Sequence, residues 1–169
     1  MMLKLTGLLL LFSSAVLTGM DAANRLMQKE HYLRQLGSFF RQFAIQLDCL
    51  RCSPAQLVLV LSRQQEFYGN ELINGLLLYL AEGVSFKQAL RDTLKECHNA
   101  QRWGVDRLLW QLEDTIGVRE LATQLAVLHS VVAALEEQHA AAAQQVQKKG
   151  SLYRRMGVLT GLLLAVFFC

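Results

Sequence analysis

The feature that most restricts this chain is the gathering of uncharged apolar residues at its two ends. No residue from Leu5 to Met20 carries a charge, and Lys4 precedes the run. The same holds from Met156 to Cys169, with Arg154 and Arg155 just before it. The hexapeptide LTGLLL occurs in both, at Leu5–Leu10 and Leu159–Leu164, which reads as two low-complexity apolar helices and not as a duplicated domain. At 1.5 Å per residue the first run covers about 24 Å and the second about 21 Å, against a hydrocarbon core of about 30 Å. Met1–Leu3 and a snorkelling Lys4 lengthen the first. The second is a marginal span, and a tail lying in the membrane interface is its alternative.

The N-terminal run also fits a secretory signal, with a basic start and an apolar core. A cleavage site needs small residues, whereas Leu17 and Met20 stand at the best positions. If both runs span, charge sets the direction. Arg25, Lys29 and Arg34 follow the first run, and Lys148, Lys149, Arg154 and Arg155 precede the second. The positive-inside rule then puts the middle of the chain in the cytoplasm and both termini outside. Gly157 and Gly161 have the small-xxx-small spacing of closely packed membrane helices, either with the other span or with another protein.

Between the runs the pattern is helical, without strand alternation. The 169 residues include a single proline, Pro54, so long helices are unopposed. Leu26, Leu33, Leu36, Phe40, Phe43, Leu47 and Leu50 recur at three- and four-residue steps, extending the first helix to about Ser53-Pro54. Ser53 caps a second helix and Pro54 suits its first position. Asn70 caps a third, ending at Gly83. Ser85 and Gln88 form a capping box for a fourth, to about Cys97. A short fifth holds Leu108, Leu109, Trp110 and Leu112, with Gly117 at its end. A long sixth carries Leu121, Leu125, Leu128, Val132, Leu135, His139, Ala142 and Val146 as a heptad seam. The two long seams predict an antiparallel pair, with the four shorter helices closing its far end. The expected fold is therefore all-α: an antiparallel bundle of about six helices over residues 24–150, flanked by transmembrane helices at 1–23 and 151–169.

The residues of reactive type form no familiar site. Cys49, Cys52, Cys97 and His98 are of the types that bind zinc, but a second pair at ligand spacing is missing and both parts lie on apolar helical stripes. Small buried cysteines are the simpler reading. The other histidines are scattered, Glu136-Glu137 reads as a solvated face, and no glycine loop cradles phosphate. No catalytic, cofactor-binding or metal-binding residue is assigned, and an enzyme is not expected. A formal charge of +3 without a concentrated basic face argues against nucleic acid.

The stretches LKLTGLLLLFSSAVLTG with AANR, and YRRMGVLTGLLL, resemble the ends of stage III sporulation protein AB of endospore-forming bacteria. Ser53-Pro54-Ala55 stands where that family has TPL, and Val118-Arg119-Glu120 where it has an SD cap. The resemblance implies a non-enzymatic scaffold of the channel complex between mother cell and forespore. Its soluble domain would be similar to the type II secretion platform protein F and face the mother-cell cytoplasm. The implied partners are the lipid bilayer and other proteins of that complex, a motor ATPase among them, with no small-molecule substrate. The competing reading is a secreted helical binding protein with a cleaved N-terminal signal.

Overall fold

The computed structural model describes residues 2–50 and 52–150, with the side chains of residues 17, 20–50 and 52–148. The described residues contain seven α-helices and no strand. The C-terminal run expected to span, 151–169, lies outside them. Among the described residues no helix is long and apolar enough to cross a membrane.

Helix α1 runs unbroken over Met2–Leu50. Helix α2, Pro54–Ser62, begins with Ser53 Oγ accepting from Gln56 N at 3.4 Å. A 3-10 turn, Gln65–Phe67, follows. Helix α3, Glu71–Ala81, is capped by Asn70 and ends where Gly83 takes φ +81°, a left-handed position open to a residue without Cβ. Helix α4, Phe86–Glu96, is capped by Ser85, which accepts from Gln88 N. Helix α5, His98–Trp103, was not expected, and it raises the count above six. Helix α6 is Asp106–Glu113 and α7 is Leu121–Gln145, continued by a π-helical turn at Val146–Gly150.

The chain divides into two compact units, Met1–His31 with Ala140–Cys169, and Tyr32–His139. In the first, Leu17 and Met20 on α1 are exposed, and Asp21 pairs with Arg25 one turn on at 2.8 Å. In the second, α1 is the central element. Leu33, Leu36, Phe40, Phe43 and Leu47 of the expected stripe are buried, with Phe39 beside them, whereas Leu50 at its end is exposed. Phe39 stacks edge-on to Phe67 with centroids 5.4 Å apart, and Phe43 lies against Phe86 at 5.9 Å. Tyr32 reaches Cys97. The shorter helices therefore line α1 from Tyr32 to Phe43 and do not merely close the far end of a hairpin. The hydrophobic effect selects this arrangement, since it buries five phenylalanines on α1 and its neighbours.

Helices α1 and α7, expected to pair, meet in this unit. Arg41 bonds to Glu136, and a cleft of about 240 Å³ is lined by Gly37, Ser38 and Arg41 of α1 and by Glu136 and His139 of α7. Leu128, Val132 and Leu135 of the seam are buried.

Candidate functional site

The most densely connected polar group lies where α3, α4 and α5 meet. Asn70 Oδ1 accepts from Leu72 N and Ile73 N at 3.2 and 3.4 Å, which caps α3. Its Nδ2 donates to Gln35 Oε1 at 3.2 Å, and Gln35 Nε2 donates to the Glu66 carbonyl at 2.8 Å. Both residues are buried, so this chain of bonds ties the start of α3 to α1. The next residue, Glu71, reaches forward to α5. Its two carboxylate oxygens accept from His98 N and Asn99 N, each at 3.1 Å. The acidic side chain supplies the cap that Cys97 does not, since Cys97 makes no side-chain cap bond.

Cys97 itself is buried between Tyr32 and Glu71. The Tyr32 hydroxyl lies 3.5 Å from its sulfur. Burial pushes the Cys97 thiol above its ordinary value of 9.0, and the bond to Glu71 acts in the same direction. Burial also raises the Tyr32 phenol, followed by the bond to Cys97. Tyr79 bonds to Glu96, which raises the Tyr79 phenol. These groups hold their protons at neutral pH and are poor nucleophiles.

Beside them is a pocket of about 250 Å³, lined by Glu71, Gly75, Thr93, Glu96 and Cys97. Gly75 and Thr93 set its shape. A Cβ on Gly75 would stand 2.7 Å from Thr93 Cγ2, so glycine is what lets α3 approach α4 here. Thr93 is 2% exposed and its hydroxyl has no hydrogen-bond partner among the described residues.

The cysteine and histidine set considered for zinc is not brought together. Cys49 is exposed on the last turn of α1, Cys52 turns back to the Leu50 carbonyl at 3.6 Å, Cys97 is buried, and His98 is exposed. Among the described residues no group of three or more His, Cys, Asp and Glu is placed to hold a metal ion. The residues that do converge are Glu71, Thr93 and Glu96. Sequence spacing gives no sign of them, because Glu71 and the α5 amides it caps are 27 and 28 residues apart.

The family model described as stage III sporulation protein AB matches residues 4–169. The chain belongs to that family. Membership of the stage III sporulation protein AB family implies a role in stage III of sporulation, and the match takes in the terminal runs as well as the helical unit. No curated protein and no solved structure matches the chain.

Proposed function

We propose that this member of the stage III sporulation protein AB family is a membrane-anchored, non-catalytic scaffold of the complex that joins mother cell and forespore. The observation that carries the reading is the continuity of α1. The helix whose uncharged run would enter the bilayer is also the helix that organises the core of the Tyr32–His139 unit. In such a part the anchor and the docking domain share one element.

Two further features support it. The exposed Leu17 and Met20 lie at the end of the uncharged run, where lipid would cover them, and Arg25 marks the start of the basic collar. The helical unit also exposes Leu59 and Val60 on α2, Tyr68, Leu78 on α3 and Val118. These residues offer apolar area to neighbouring proteins of the complex. The domain faces the mother-cell cytoplasm and works as a platform of the type II secretion F kind, coupled to a motor ATPase.

The test is genetic and topological together. Cells lacking the chain stop at stage III, and a copy without residues 1–23 and 151–169 does not restore spores. Normal spore counts in the deletion strain refute the scaffold role. Recovery of the chain in the soluble fraction after cell lysis refutes the anchor.

A further inference from the structure

The pocket between α3 and α4 has features that core packing alone does not require. Two carboxylates border it, Glu71 and Glu96, and none of its five lining residues is a cation. The Glu71 oxygens accept one backbone N–H each and the Cys97 thiol besides, which still leaves lone-pair capacity on the carboxylate. Glu96 is exposed at the rim and accepts from Tyr79. At the floor, the Thr93 hydroxyl lies 3.4 Å from the place a Gly75 Cβ would take, buried and without a partner among the described residues. Buried hydroxyls are normally hydrogen-bonded, so an orphan beside a cavity calls for a ligand group.

We propose that this pocket is a binding site for a primary alkylammonium group. Such a group carries three N–H donors and no acceptor, and three acceptors converge here: Glu71, Glu96 and Thr93. Its charge offsets the two carboxylates. A quaternary ammonium has no donor for Thr93. A guanidinium is a rigid planar fork suited to one bidentate carboxylate rather than to acceptors from separate helices. An anion meets two like charges. The buried Cys97 thiol, which keeps its proton, lines the remaining wall without adding charge. The proposal rests on the geometry of this unit and not on the scaffold reading.

The experiment is thermal unfolding of the full chain in detergent micelles with n-butylammonium chloride, and with tetramethylammonium chloride or 1-butanol at the same concentration. At ten times the dissociation constant the melting temperature rises by about 4 °C with n-butylammonium alone. Thr93→Val keeps the side-chain shape and removes the orphan hydroxyl; it melts no lower than the native chain and loses the rise. Glu96→Gln, at the exposed rim, loses it as well. A free amine and a lysine side chain of a neighbouring protein carry the same group, and Nα-acetyl-lysine methylamide separates them. It equals n-butylammonium if lysine is the natural occupant and falls short if only a free amine fits. No rise with n-butylammonium, an equal rise with tetramethylammonium, or a rise retained in either variant overturns the proposal.

Discussion

Replacing Asn70 tests the bond chain that fixes α3 on α1. Asn70→Ala removes two interactions at once. The first is the cap, Oδ1 to Leu72 N and Ile73 N, whose loss costs about 1 kcal/mol. The second is the donor to Gln35 Oε1, which strands a buried acceptor at a cost of about 1–3 kcal/mol. The sum is about 2–4 kcal/mol, a drop of roughly 5–12 °C in melting temperature for a chain of this size. Asn70→Ser separates the parts, because a serine hydroxyl caps the helix but does not reach Gln35, so only the second cost is incurred. The assay is urea unfolding of the full chain in detergent, followed by circular dichroism at 222 nm, with the denaturant slope unchanged. A double-mutant cycle with Gln35→Leu completes it. Once Gln35 is gone, Asn70→Ala costs only the cap, so the two changes are non-additive by about 1 kcal/mol or more. An Asn70→Ala loss below about 1 kcal/mol, or additivity within about 0.5 kcal/mol, refutes the reasoning.

Other consequences follow from the same unit. Gly75→Ala forces its Cβ to 2.7 Å from Thr93 Cγ2 and destabilises by about 1 kcal/mol net of alanine's better helix propensity; Thr93→Ala in the same chain restores most of it, as measured by thermal melts. Cys97 and Tyr32 hold their protons more tightly folded than unfolded, so their contribution is full below the unfolded values of 9.0 and 10.0 and is lost as pH rises above them. Alkaline unfolding should therefore begin at higher pH in Tyr32→Phe with Cys97→Ala, and a thiol reagent should label exposed Cys49 at once but Cys97 only on unfolding. Lys87, 2.5 Å from Asp114, holds that carboxyl below its ordinary value of 3.8; this contribution is present above pH 3.8 and lost as pH falls through the lower folded value, and Lys87→Met flattens the acid limb of a stability–pH curve.

Local signals in the sequence were reliable where a structure-forming bond is itself local. Ser53, Asn70 and Ser85 cap the helices expected of them, since each bonds an amide two or three residues away. The start of α7 was less legible because no Ser or Asp stands there. Instead Gln124 folds back to bond the Arg119 carbonyl at 2.5 Å, and its own N–H takes the Glu120 carbonyl. Helix α5 was invisible because Glu71, on another helix, supplies its cap. The pocket was hidden for the same reason: its acceptors come from α3 and α4, and the Gly75–Thr93 approach has no periodic signature.

The central position of α1 gives the two proposals a common physical root. One face of the helix carries Tyr32, Gln35, Phe39 and Phe43 against Cys97, Asn70, Phe67 and Phe86, so it touches the N-terminal cap of α3 and the first residue of α4 as well as the start of α5. Interior packing is dense enough that a shift of one such element is felt by its neighbours. An ammonium drawing Glu71, Thr93 and Glu96 together would bear on the same junction, because Glu71 caps α5 and follows the Asn70 that bonds to α1 through Gln35. Occupancy of the pocket is then read out as resistance of Tyr32–Phe43 to opening. Amide hydrogen exchange should slow across those residues when n-butylammonium is bound and stay unchanged in Thr93→Val. Slowing confined to α3 and α4 would show that the pocket and the central helix are uncoupled.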